Sequence, residues 1–336
     1  YLLGFISVSV TLLVCVGSVW AEENYSELVY PGEDGKLVYT PDEKGNVIPD
    51  FSHCGYMGGG VALPDMPVVM TVEPQAERDD TERLQAAIDK VSERAVDANG
   101  FRGALLLKRG EYRIDGTLQV RASGVVLRGE GEGEDGTVLI ATGTDKRTLI
   151  EFGGRGRSPR EMNGTRQAMV DDYVPVGARA FEVTDASDFE VGDQVIVHRP
   201  STAEWIAAIG MDRIEMPKPT VVQWKPGTYD LKFDRMVVVI DGNEITVDAP
   251  MGNAFEREYG GGWIYKYEYL GRIEQVGIEN LRGVSEFDDR EKDRRREGEF
   301  VDEDHGWNFV VFSRVKNAWA RRVTSVYFGY SCVTVG

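Results

Sequence analysis

The chain has 336 residues, with 56 acidic against 38 basic side chains and a formal charge of −18. That balance argues against broad nucleic-acid binding, which needs Lys and Arg to neutralise phosphates, and against general adhesion to anionic membranes; it leaves room for an acidic glycan in a local basic groove. The 39 glycines, the many Val and Ile residues and the scarcity of helical apolar patterns favour β structure with many turns.

Residues 1–21 carry no Lys, Arg, Asp or Glu and end in Val19-Trp20-Ala21, which fits the small-residue rule of a signal-peptidase site. We expect a cleaved signal, export to the periplasm or the extracellular space, and no stable membrane insertion afterwards. The absence of a basic leader before the apolar run implies that a few residues precede Tyr1. The rival is a membrane anchor, which takes about 20 apolar residues. Gly4, Ser7, Ser9, Gly17 and Ser18 dilute the run, and no basic stop-transfer flank follows. Cys15 leaves with the signal, and Cys54 with Cys332 is no disulfide framework, although the two could pair.

Residues 22–78 read as an irregular segment with short extended pieces, KLVYT and VVMTV, and a loop, HCGYMGGG. A domain over 79–336 follows. It opens on a helix over 79–96: Asp79 and Asp80 supply the N-cap, Leu84, Ala87, Ile88, Val91 and Ala95 form one apolar stripe, and Asn99-Gly100 stops it. Then come short β runs, ALLLK, EYRI, TLQV, GVVLRG and TVLIA, too closely spaced for helices between them. A coil in which each turn adds one rung to several parallel sheets satisfies that spacing, with the helix plugging its open first end. Residues of about 153–265 read as β insertions lying against the coil. They include an excursion over 180–199, a hairpin over 236–249 turning at Asp241-Gly242-Asn243, and one or two helical turns at 202–210. The coil pattern returns at 272–285 and 309–336. Val311 and Val333 are 22 apart, near one turn, and Asn280 and Asn317 are candidates for a stacked Asn ladder.

DDTERLQAAID, GALLLKRGEYRIDGTLQV and SGVVLRGEGEGEDGTVLIATG resemble the N-terminal part of the pectate-lyase superfamily of single-stranded right-handed β-helices. That group includes pectate lyases, polygalacturonases, rhamnogalacturonan hydrolases and epimerases. The resemblance covers 79–141 well and 272–336 moderately. It implies an all-β, right-handed single-stranded parallel β-helix with an N-terminal capping helix and β insertions, incomplete where the strand pattern stops at Gly336, and a polysaccharide substrate. The scaffold serves several chemistries, so the reaction must be read from the site.

The candidate site is 299–327. Asp302, Asp304 and His305 stand just before a rung that begins at Trp307, and Arg321-Arg322 lies one rung on. A glycosidase needs two carboxyls with different affinities for a proton. A uronate lyase needs a base, with Ca²⁺ or Arg neutralising the charge that builds up. We take Asp302, Asp304, His305, Arg321 and Arg322 as candidate catalytic residues, only one of the two arginines facing the groove. Trp307, Trp319 and Tyr327 are candidate sugar platforms. The plain alternatives are that 286–305 is a solvated charged loop, that both tryptophans are packing residues, and that His53 and His198 are structural. The reading is a secreted polysaccharide hydrolase or lyase acting on a glycan, uronate-containing or not, with Ca²⁺ only in the lyase case. The alternative is a non-catalytic glycan-binding or surface-structural β-helix.

Overall fold

The computed structural model describes residues 26–75, 78–155, 158–215, 221–294, 296 and 298–336. The expected signal at 1–21 lies outside them. No helix among the described residues is long and apolar enough to cross a membrane. The chain is mostly strands in parallel sheets, with few helices.

The parallel strands fall into three stacks. The first holds Val68–Val72, Gly103–Leu107, Val125–Arg128 and the leading halves of Ile273–Ser285 and Val315–Val326. The second holds Gly110–Ile114, Thr137–Ala141 and the trailing halves of those same two long strands. The third holds Leu118–Val120, Thr148–Gly153, Asn308–Ser313 and Ser331–Val335. The chain visits the stacks in that order and returns to the first. VVMTV, read as part of the irregular segment, is thus the first strand of the first stack.

Alternation explains why these short runs hold together. On each strand every second residue points inward, and Leu105, Leu107, Tyr112, Ile114, Leu139, Ile150, Phe152, Ile278 and Leu281 meet in one core. Phe152 stacks on Phe312 one rung on, at 4.8 Å between centroids. Where a rung must turn without losing its ladder, left-handed backbone does it. Gln275 (φ 59°) stands level with Asn317 (φ 52°), and Asn280 (φ 57°) with Arg322 (φ 51°). The expected Asn280–Asn317 ladder therefore does not form, because the two Asn residues occupy different corners. Ile273 pairs with Val315 and Ile278 with Ala320, a shift of 42 that spans the charged loop. Val333 pairs with Val310, a turn of 23 residues rather than the expected 22.

The helix is Thr81–Ser92, shorter at both ends than 79–96. Leu84, Ala87, Ile88 and Val91 enter the core beside Leu105, Leu118 and Val125, and Ala95 does not. Each such burial contributes about 2 kcal/mol. Asp79 accepts from the Thr81 amide, while Asp80 turns to Arg83 instead of capping. Asn99-Gly100 belongs to a separate turn, in which the Asp97 carboxylate accepts from the Asn99 and Phe101 amides. Asp79 bridges Arg113 in parallel, so the helix begins one rung above the second stack.

The insertion leaves the parallel stacks at Gly154 and re-enters at Gly271, necks so close that a Cβ on Gly154 would lie 1.9 Å from the Gly271 carbonyl oxygen. Between them lies an antiparallel sheet with its own core of Phe181, Val195, Val197, Val237, Ile245 and Phe255 among others. The hairpin Leu231–Asp241 with Glu244–Val247 forms as expected, and the helix Ala203–Ala208 is present. Ala180–Glu182 does not pair with Gln194–Arg199. Its partner is Glu244–Val247, and the Met169–Val183 bridge then joins the two sides of the sheet. The insertion touches the parallel stacks through Arg272–Asp234 (2.8 Å) and Lys316–Gln194 (3.3 Å). Cys54 and Cys332 are both free thiols.

A close approach outside the first stack gives one test of the packing. Trp319 lies flat against Gly277, its register partner, where a Cβ would sit 2.2 Å from the indole. Overpacking of this kind costs about 1–3 kcal/mol. Gly277→Ala should lower the urea midpoint accordingly and shift tryptophan emission; an unchanged midpoint would show that the indole moves freely.

Candidate functional site

The loop 286–305 leaves the end of one long strand and returns to the next rung, and one serine ties its two ends. Buried Ser285 accepts from the Gly306 amide through Oγ (2.9 Å) and hydrogen-bonds His305 Nδ1 at 3.1 Å. His305 is 8 % exposed. Under this fold of the loop lies a cavity of about 420 Å³ lined by Phe287, Glu299, Phe300, Asp302, His305 and Tyr327. Phe287 is its centre, with ring centroids 5.0 Å from Phe300, 5.6 Å from His305 and 5.0 Å from Tyr327. Tyr327 has left-handed backbone (φ 64°) at the end of its strand, and its ring is 61 % exposed.

Asp302 is held by backbone. Its Oδ2 accepts from the Asp288 amide at 2.7 Å and its Oδ1 from the Asp304 amide at 2.8 Å. Those amide bonds, with the nearby His305 ring, keep its carboxyl below the ordinary carboxylate range. Such a carboxylate suits a base, nucleophile or charge stabiliser, and not the acid that protonates a leaving group. Glu299, paired with Arg296 at 3.1 Å, is the second carboxylate of the cavity.

The structure thus brings together Asp302, His305 and Tyr327, and separates the other candidates from them. Asp304 is exposed and outside the cavity lining, contributing its amide. Arg321 is engaged by Glu279 on the outer side of the first stack. Arg322 lines a different cavity of about 470 Å³, with residues 129–132 and Asn280. Its left-handed backbone breaks the strand alternation, so both arginines lie on the outer surface, over different sheets. Trp307 stacks on Tyr330 (6.1 Å, 10°) with the Lys146 ammonium 4.7 Å from its ring. Trp319 is 5 % exposed and packed edge-on against Tyr56 and Phe101 beneath the N-terminal segment, so its ring faces are occupied.

Phe287, Glu299, Phe300 and Ser285 were missed. The signal was there: two aromatic residues inside a run of charge have no reason to be in a purely solvated loop. A third cavity, about 270 Å³, shares Tyr327 with the first and is floored by Val138, Ile140, Val284 and Val326. Among the described residues no group of three or more His, Cys, Asp or Glu side chains is arranged to hold a metal ion.

In the insertion Trp263 and Tyr265 pack edge-on with His198, which belongs to a second polar network. His198 Nε2 meets Asp230 Oδ2 at 2.9 Å, and Asp230 Oδ1 accepts from Ser201 Oγ and its amide, both at 2.9 Å. Asp230 sits between Ser201 and His198, so the imidazole does not face the hydroxyl and the order is not that of a Ser-His-Asp triad. Burial lowers the proton affinity of His198, and its own hydrogen bonds lower that of Asp230. Both depressed values mean stability present above the unfolded-state pKa and lost as pH falls through the folded one. The insertion should therefore melt progressively earlier as pH falls below the ordinary histidine value of 6.5, as read by near-ultraviolet circular dichroism. His198→Gln should flatten that dependence, and an equally steep profile in the variant would remove this imidazole as its cause.

No protein-family model matches the chain, and no curated protein matches it. Among solved structures it is similar to the Gp54 tailspike of Acinetobacter baumannii bacteriophage AP22, solved in complex with A. baumannii capsular saccharide. That match has 14% identity and a TM-score of 0.35, and covers 75% of this chain and 34% of that one. It is similar also to the tailspike protein gp49 from Pseudomonas phage LKA1 (14%, 70% and 29%, TM-score 0.36) and to the Pseudomonas phage phi297 tailspike gp61 (14%, 72% and 33%, TM-score 0.35). The chain spans about a third of the length of these structures.

Proposed function

We propose that the chain is part of an exported, right-handed single-stranded parallel β-helix of the pectate-lyase type, plugged by the helix Thr81–Ser92, that binds and cleaves polysaccharide. The observation that carries this reading is the convergence of Asp302, His305 and Tyr327 with Phe287 and Phe300 around one open cavity beside the stacked strands. Aromatic faces take the apolar face of a sugar ring, and a carboxylate beside an imidazole supplies proton transfer at the bond between rings. Cleavage is by hydrolysis or by elimination next to a uronate carboxyl. Ca²⁺ belongs to the elimination reading alone. There the ion takes oxygen ligands, and Asp302 with Glu299 are the carboxylates the cavity offers.

A second reading, binding without cleavage, draws on Asp302 itself, whose two oxygens both already accept amide protons. One experiment separates the readings. The chain is incubated with a panel of polysaccharides while new reducing ends and the absorbance of a 4,5-unsaturated uronate are followed. Reducing ends alone mean hydrolysis, both signals mean elimination, and binding with neither means a binding protein. A folded chain that neither binds nor cleaves any glycan of the panel would sink the carbohydrate reading.

A further inference from the structure

The three cavities form one groove. Outward positions of the second stack fall in register as Glu111, Val138, Arg282 and Thr324, and as Arg113, Ile140, Val284 and Val326. The third cavity lies over these rows and meets the first at Tyr327. At its other side the turn 129–136 joins it to the second, since Glu134 reaches Arg282 and Glu132 accepts from Thr324. The path from Arg322 to Tyr327 follows one strand for about 17 Å, at about 3.3 Å per residue. That is a seat for several sugar rings.

The charges along it are the informative part. Four of its cations are spoken for, Lys108 by Glu130 (2.8 Å), Arg282 by Glu134 (3.5 Å), Arg113 by Glu286 (2.7 Å) and Arg296 by Glu299 (3.1 Å), while Lys292 lies over the Phe300 ring at 5.7 Å. Among the described residues Glu111, Glu132 and Asp302 have no ion pair with Lys or Arg, and of the lining guanidiniums Arg322 alone has no ion pair. A polyuronate brings one negative charge per sugar into a groove whose uncompensated charges are mostly negative, and this chain carries −18 besides. An uncharged sugar meets no such cost. Its hydroxyls donate to the free carboxylates in charge-assisted hydrogen bonds, and its C–H faces lie on Val138, Ile140, Val284, Val326 and the rings of Phe287 and Tyr327.

We infer that the groove binds an uncharged polysaccharide, an inference that rests on the glycan reading above and narrows it. The reaction narrows with it. Elimination needs a carboxylate or its ester beside the carbon that loses its proton, so an uncharged chain without uronate esters is cut by hydrolysis. The oxygen of water bonds to the anomeric carbon as the water gives up one proton, the glycosidic bond breaks, and the departing sugar oxygen takes a proton, so that water is consumed and no net proton is released.

The test is a glycan array carrying uncharged chains (galactomannan, β-glucan), polyuronates (polygalacturonate, alginate) and amino-sugar chains (chitosan), probed with the full chain at low and high salt. Uncharged chains should be retained, with Kd changing by less than about twofold across the salt range. Charge reversal by Glu111→Lys with Glu132→Lys should bring in polygalacturonate binding that salt abolishes. Tighter binding of a polyuronate or of chitosan by the native chain, with affinity falling about tenfold or more in salt, overturns the inference and leaves the glycan reading standing. So does a glycan preference that the double variant leaves unchanged. Retention of no glycan by a chain that circular dichroism shows folded removes both.

Discussion

Replacing Glu279 by Ala should cost about 3–5 kcal/mol of stability, the usual penalty for removing one partner of a buried charge cluster. Glu279 is fully buried, and it joins Arg128 on one side (3.1 Å) to Arg321 on the other. The three are register neighbours in the first stack. Without the carboxylate, two guanidiniums approach each other beneath Asp65 and the Met66 carbonyl with only part of their charge answered. Urea unfolding followed by far-ultraviolet circular dichroism measures the loss. Glu279→Gln, which keeps the volume and one acceptor, should lose less. A Glu279→Ala chain within about 1 kcal/mol of the native one would mean that solvent reaches Arg321 and Arg128 well enough to replace the carboxylate. The same geometry assigns Arg321 to stability: Arg321→Met should lower the unfolding midpoint while leaving the rate per folded molecule unchanged.

The parts of this fold that could be read in the sequence are those with local causes. The alternation in 104–141 gives strands because period-two burial is visible in a single strand. The apolar stripe on Leu84–Val91 gives a helix with one covered face. What could not be read is partnership across distance. Nothing local says that Ile273 pairs with Val315 while Asn280 stands beside Arg322, since the loop between the two rungs sets the offset. The insertion shows the same limit. Gln194–Arg199 is plainly a strand, yet its partners at Leu231–Asp241 and Trp263–Glu268 are set by how the whole sheet comes together. The candidate site was legible where chemistry is dense, at Asp302 and His305, and hidden where packing decides. Arg321 went to Glu279 because paired neighbours in a parallel stack come from distant stretches of sequence, and Trp319 to Tyr56 because the N-terminal segment lies over the first stack.

The largest functional effect should come from Asp302→Asn. If the cavity cleaves glycan, removing a catalytic base or stabilising carboxylate lowers kcat by about 10²–10⁴-fold, with KM little changed because the aromatic lining remains. The amide should keep one of the two backbone contacts, to Asp288 or Asp304, so the loop should stay folded. Asp304→Asn, on an exposed side chain outside the lining, should fall within about twofold of the native rate. The pH profile supplies the sign. The Asp288 and Asp304 amides hold Asp302 below its ordinary value of 3.8, so it stays ionised, and active, until the pH falls beneath that value. Ser285→Ala tests the partner group. It removes the oxygen that hydrogen-bonds His305 Nδ1, and as a positioning residue it should cost about tenfold in kcat with KM little changed, a loss that Ser285→Thr should largely restore. A rise in KM matching the fall in kcat would make Ser285 a tie for the loop ends only. An Asp302→Asn chain that cleaves at the native rate would take the reaction away from this cavity and leave it a place where sugar is held.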